Sequence, residues 1–306
     1  MINFVRHRKI PYALSVLLIL GGIVSLLISG MNLGIDFAGG TVLHLNLADD
    51  FTPAEVEALA GGIPELKGAV VQTVKGRDLQ GRLTEGVVIK SAYIEEGRRN
   101  AVLAAFRERW PSLGPDDLRV ESVGGIISGE LTRQALIALA VAVAGMIAYI
   151  TFRFEFRFAL AAIIALLHDI FIIVAVFSIF QIEANVPFIA ALLTIFGYSV
   201  NDTIVIFDRI RENIKRKKKD EYAAMVDRSI NQNLVRTINT SMTTLLVLAA
   251  LLVGFYYFIG SFDLIAFVIA LLIGVVVGTY SSVFIAAPLW LDLGRVQSRR
   301  LRRRPA

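Results

Sequence analysis

Six long apolar stretches divide the chain, over residues 12–29, 134–152, 158–180, 187–207, 240–258 and 264–290. Each is close to the roughly 20 residues that a helix needs to cross a bilayer, so six membrane helices are expected. The first follows Arg6-His7-Arg8-Lys9 and reads as a spanning helix rather than a secretory signal, because it is long and no A-x-A-like site follows it. Between the first two stretches the apolar residues thin out and change period. Residues 41–47 alternate and predict a strand, 53–60 a helix capped by Thr52, 69–75 and 86–92 two further strands, 96–110 an amphipathic helix and 118–123 a last strand. That order, β-α-β-β-α-β, is the ferredoxin-like split βαβ pattern.

The fold class expected is therefore a polytopic α-helical membrane protein with one external α+β domain between helices 1 and 2. Four regions follow: 1–30 with the first helix, 31–132 as the domain, 133–293 with helices 2 to 6 and a basic loop near 208–238, and 294–306 as a basic tail. Charge orients them. Arg153, Arg157, the Lys215-Arg216-Lys217-Lys218-Lys219 cluster and the tail from Arg299 to Arg304 all fall on one side, which the positive-inside rule makes the cytoplasm. Both termini are then cytoplasmic and the domain is external.

Composition agrees, with 56% hydrophobic and only 19% charged residues among 306. The net charge of +5 is explained by topology and by contact with anionic membrane lipid, so no nucleic acid is expected as a partner. With no cysteine and three scattered histidines, disulfides, thiol catalysis and a metal centre are not expected either, nor is any cofactor. No nucleophile and base stand at a recognisable spacing in the domain, and the chain does not read as an enzyme.

One polar interruption stands out, from Thr194 through Gly197, Tyr198, Ser199, Asn201 and Asp202 to Asp208 and Arg209. An ionised carboxylate near the bilayer centre costs about 2.5–3.5 kcal/mol on insertion scales, so Asp202 should face protein or water. At helical spacing Thr194, Gly197, Tyr198, Asn201, Val205 and Asp208 are expected on one broad face with it. His168 and Asp169 interrupt the third stretch. Arg236, with Asn239, Thr240 and Thr243, forms a polar face before the fifth, and an approach of Arg236 to Asp202 is expected. Protonating the carboxylate would cancel their attraction and provide a local trigger. Asp208, Arg209, Arg211 and Glu212 read first as interfacial ion pairs. Gly274, Gly278, Ser281 and Ser282 in the sixth stretch form a small-residue face that predicts close helix packing.

These residues resemble a known family. Gly34-Ile35-Asp36-Phe37-Ala38-Gly39-Gly40, Leu166-Leu167-His168-Asp169, the run Gly197-Tyr198-Ser199-Val200-Asn201-Asp202-Thr203 continuing through Asp208-Arg209, and Arg236-Thr237-Ile238-Asn239-Thr240-Ser241 are similar to motifs of the SecD/SecF family, in its SecF branch, over nearly the whole chain. The resemblance implies a six-span half of a SecD–SecF complex related to the RND superfamily of proton-driven exporters. It also implies work with the SecYEG channel and the SecA motor on unfolded preprotein. The family's fourth-span aspartate falls on Asp202 and its fifth-span arginine on Arg236. A proton or ion pathway is expected over Asp202, Arg236, Asn201, Asp169 and His168, with Gly34, Asp36, Gly39, Gly40, Gly197, Asp208 and Arg209 as structural motif positions. Two other readings stay open. One is a purely structural subunit that stabilises SecD and the channel; the other is an intramembrane aspartic protease with Asp169 and Asp202 as its dyad.

Overall fold

Among the described residues six helices are long and apolar enough to cross a membrane: Lys9–Ile28, Gly125–Arg153, Phe156–Ile179, Val186–Ile214, Tyr222–Ile259 and Phe262–Gly294, called the first to sixth spans. The computed structural model describes residues 2–47, 51–77, 83–114, 117–215, 222–259 and 261–302. Arg216 to Lys219 of the basic cluster and Arg303 and Arg304 of the tail lie outside the described residues.

The α+β domain grows from its strand pattern. Strands β1 (Gly40–Asn46), β2 (Val70–Arg77), β3 (Leu83–Ser91) and β4 (Leu118–Val123) form one antiparallel sheet in the order β2-β3-β1-β4. Alternation sends Leu43, Leu45, Val87 and Ile89 to one face, where helices α1 (Pro53–Gly62) and α2 (Glu96–Arg109) cover them with Val56, Ala60, Val102 and Phe106. The expected N-cap is present as a full capping box: Thr52 Oγ1 accepts from the Glu55 amide and Glu55 answers to the Thr52 amide. That reciprocal bonding holds the Glu55 carboxyl below its ordinary range.

The opposite sheet face carries His44, Lys90, Arg119 and Glu121. Burial holds the His44 imidazole below its ordinary 6.5, outweighing the pull of the Glu121 carboxylate 3.9 Å away. The folded domain therefore prefers neutral His44. Its contribution is complete above pH 6.5 and is lost as pH falls through the lowered value. A His44→Gln variant is expected to lose less stability in acid than the native chain. Thermal unfolding followed by Trp110 fluorescence in a Trp290→Phe background, compared above and below that pH, checks this.

In the membrane region the third, fourth and sixth spans form the centre. Over half of the third span's apolar window is buried, against 6% in the second and in the fifth. The small-residue face of the sixth span packs as expected, against the fourth: Gly274 abuts the Ile195 side chain, and a Cβ on Gly278 would stand 3.0 Å from Ser199 Cβ. Gly274→Val is expected to cost about 1–3 kcal/mol by overpacking, whereas Gly145→Ala, with nothing within 4 Å of its added Cβ, should be neutral. Thermal scans of the two variants in one detergent make the comparison. Two spans begin earlier than their apolar runs. The second is helical from Gly125 and the fifth from Tyr222, because polar turns outside the apolar window continue the same hydrogen-bonded helix.

Candidate functional site

The glycine-bearing motif after the first span does more than turn the chain. Gly39 and Gly40 have φ of +73° and +149°, and a Cβ on Gly40 would lie 2.8 Å from the Ser91 carbonyl, so the entry into β1 requires glycine there. Just before it, the Gly34 amide donates to the Ala184 carbonyl (2.8 Å), and the Val186 amide donates to Asp36 Oδ2 (3.0 Å). Asp36 thus supplies a carboxylate to the first turn of the fourth span, where free amides and the helix dipole favour an anion. Asn185 is the N-cap itself, accepting from Phe188 N and donating to Asp263 Oδ1 of the sixth span at 2.5 Å. Lys90 of β3 pairs with Glu183 in the same turn. The domain is thereby tied to the end of the helix that carries Asp202.

Inside the membrane region Asp202 is 5% exposed, and its Oδ2 is buried with no hydrogen-bond partner among the described residues. Its neighbours on the packed face are Ile195, Ser199 and Ile206, all buried. This corrects the expected face: Thr194, Gly197 and Asn201 are exposed, on the outside of the fourth span. One residue step turns a helix by about 100°. The side chain most costly to expose to lipid takes the interior, and the small and neutral polar ones take the surface.

Arg236 is exposed and does not come within 4.0 Å of Asp202, but it interacts with it electrostatically. Its depth follows from register. Tyr198 Oη donates to Ser241 Oγ at 3.3 Å across the antiparallel fourth and fifth spans, which sets Arg236 and Thr237 level with Asp202 and Thr203. Asn239, Thr240 and Thr243 continue the same exposed face. A polar surface from two spans, Thr194, Gly197 and Asn201 with Arg236, Asn239, Thr240 and Thr243, therefore lies open at the level of the buried acid.

Asp169 is fully buried and in different company. Its Oδ2 accepts from Ser199 Oγ (2.5 Å) and Ser281 Oγ (2.9 Å), and its Oδ1 lies 2.9 Å from His168 Nδ1. No hydrogen bond joins Asp169 to Asp202, so the two acids do not share a proton in the manner of a protease dyad. Near the basic side Asp208 pairs with Arg153 at 3.5 Å and Arg209 with Glu212 at 2.8 Å. Ser15, Tyr280, the bond of Ser199 to Asp169 and the capping role of Asp36 carry no signal in the sequence. Lone hydroxyls in apolar helices give no periodic signal, but Ser281 and Ser282, read as a packing face, were pointing at this cluster. They stand where a π-helical turn, Ser282–Ala286, begins; it offsets the sixth span and brings Ser282 Oγ to 2.8 Å from Thr203 Oγ1.

The chain has known relatives in sequence and in fold. The model of the "Protein export membrane protein SecD/SecF, C-terminal" family matches residues 111–296, and that of the "SecD/SecF GG Motif" matches 24–45. The chain is 37% identical to protein translocase subunit SecF of Sebaldella termitidis, covering 94% of this chain and 90% of that one. It is 37% identical to protein translocase subunit SecDF of Bacillus subtilis, over 94% of this chain but only 38% of the longer one. The crystal structure of SecDF from Thermus thermophilus, a translocon-associated membrane protein, superposes with a TM-score of 0.79 at 35% identity. That match covers 96% of this chain and 39% of that one, so this chain spans about two fifths of a SecDF polypeptide. These relatives carry names of a transport role rather than of a catalysed reaction, and the two SecDF polypeptides carry both names in one chain. The chain belongs to the SecD/SecF family of protein-export membrane proteins, as one of its multi-pass translocase subunits.

Proposed function

We propose that this chain is one half of a SecD–SecF complex that uses the proton motive force to assist SecYEG- and SecA-dependent movement of preproteins across the bacterial cytoplasmic membrane. The observation that carries this reading is the buried, unpartnered Oδ2 of Asp202, in a spanning helix and level with Arg236. A carboxylate so placed changes its charge by one when it binds a proton. Its attraction to Arg236 is present in one state and absent in the other, which is the differential interaction a two-state machine needs. The domain ties at Asp36 and Lys90 pass a movement of the fourth span to the α+β domain, the part that meets the emerging preprotein. In this reading both termini are cytoplasmic, and the basic loop and tail contact anionic lipid.

The exposed polar surface over the fourth and fifth spans suits the SecD half. Side chains such as Asn201 and Arg236 are costly against lipid but are satisfied against another polar helix face. That SecDF relatives continue well beyond the matched region supports such a neighbour. Vesicles containing SecD, this chain and the channel test the coupling ion. Export should rise when a proton gradient is imposed and should be indifferent to removing sodium; export that needs sodium and ignores the proton gradient would overturn the assignment of the ion.

A further inference from the structure

A polar chain runs from Asp169 through His168 into the first span. His168 Nε2 lies 2.9 Å from Ser15 Oγ, Ser15 Oγ lies 3.3 Å from Tyr280 Oη, and Tyr280 Oη donates to the Pro11 carbonyl at 2.9 Å. Ser15 and His168 are 4% and 7% exposed. At the other end stands Asp169, whose Oδ2 already receives two serine hydroxyls. Pro11 belongs to the first turn of the first span, at its basic end, so the chain leads from the buried acid toward that side.

Hydrogen positions decide what such a chain can do. With a neutral imidazole carrying its hydrogen on Nδ1, that N–H donates to Asp169 Oδ1. Nε2 is then an acceptor, and the Ser15 hydroxyl donates to it. Let hydronium stand at the basic end: Tyr280 turns its hydroxyl from Pro11 to Ser15, Ser15 passes its hydrogen to Nε2 and takes that of Tyr280, and Tyr280 takes one from the hydronium, which leaves as water. The new Nε2–H then donates to Ser15 Oγ, the Ser15 hydroxyl points to Tyr280 Oη, and Tyr280 regains its bond to Pro11. In both states every member has a partner, and the extra positive charge stands beside the Asp169 carboxylate. Release is the same sequence reversed, so one proton enters, one leaves and no bond is otherwise made or broken. A contact that only fastens helices needs one satisfied state. This one has two, and neither leaves a buried polar group unpaired.

We infer that His168 and Asp169 form a second proton-binding centre, with Ser15 and Tyr280 as the relay that connects it to the basic end of the first span. His168 takes and gives up the proton, and Asp169 positions the ring and balances its charge. The inference rests on the proton-driven reading of Asp202 and adds a branch to it. Among the described residues, the groups that hydrogen-bond to the pair are Ser15 from the first span, Ser199 from the fourth and Ser281 from the sixth, all uncharged.

The test uses vesicles with this chain and its SecD partner, a trapped pH-sensitive dye and an imposed gradient. Glutamine at position 168 offers one donor and one acceptor, as imidazole does, but cannot take the proton. His168→Gln should cut proton uptake at least tenfold while the complex assembles normally, and Ser15→Ala should slow it several-fold. In His168→Ala, added imidazole should restore a several-fold increase. Infrared difference spectra of the native protein with and without the imposed gradient should show an imidazole protonation band that is missing in His168→Gln. Native uptake in His168→Gln, failure of imidazole to restore His168→Ala, or no such band would each overturn the inference. If His168→Gln is active while Asp202→Asn is dead, only the branch falls. If Asp202→Asn is fully active, the reading beneath it falls, and the infrared protonation band still judges the pair.

Discussion

Asp202→Asn is expected to abolish the part of export that depends on the proton gradient while leaving the complex intact. The substitution removes one charge and almost no volume. It should not harm folding, because an ionised carboxylate costs about 2.5–3.5 kcal/mol near the bilayer centre on insertion scales and asparagine does not carry that charge. Around it nothing is disrupted: Oδ2 has no hydrogen bond to lose, and the neighbouring pairs Tyr198–Ser241 and Thr203–Ser282 stay in place. What disappears is the change of charge opposite Arg236. Export measured with and without a gradient should converge in the variant, a loss of more than tenfold in the gradient-dependent component, at unchanged amounts of assembled complex. If the variant keeps its gradient response, Asp202 is interhelical glue and the chain a stabilising subunit. An Arg236→Ala variant should weaken the response without removing it, because the proton-binding group remains.

Much of this was legible in the chain, for reasons that differ by region. The domain could be read strand by strand because its sheet has one covered face, and alternation at Leu43, Leu45, Val87 and Ile89 reports that face directly. Asp202 was legible because its environment makes an acid expensive. The direction in which it points was not: Asn201 and Asp202 are adjacent, both polar, and only packing decides that one faces lipid or a partner and the other the interior. Arg236 looked shallow because the apolar run starts after it, whereas the antiparallel register with Tyr198 sets its true level. Asp36 was read as part of a turn motif. Its bond to Val186 joins residues 150 positions apart, and nothing local in either stretch announces it.

The ties between domain and membrane region lead to the second large effect. Lys90 stands among acids: it pairs with Glu183, and Asp36, Glu121, Glu183 and Asp263 interact electrostatically around the same spot at the head of the fourth and sixth spans. The pair is mostly buried, with side-chain exposures of 25% and 18%. Lys90→Glu removes the cation that holds these carboxylates together and adds a further anion, so repulsion is added to the cost of about 1–3 kcal/mol for a buried group left unpaired. The variant should let the domain detach from the Glu183 turn, lowering the thermal midpoint and reducing gradient-driven export several-fold, with SecA-driven export less affected. Glu183→Lys alone should be milder, because Asp36 and Asp263 can still receive the new cation. Combining the two swaps restores an opposite pair at the same place, and export should return to most of its native level. That recovery separates a specific tie from a general loss of stability: if the double swap is as poor as Lys90→Glu, the Lys90–Glu183 contact does not carry movement between the fourth span and the domain.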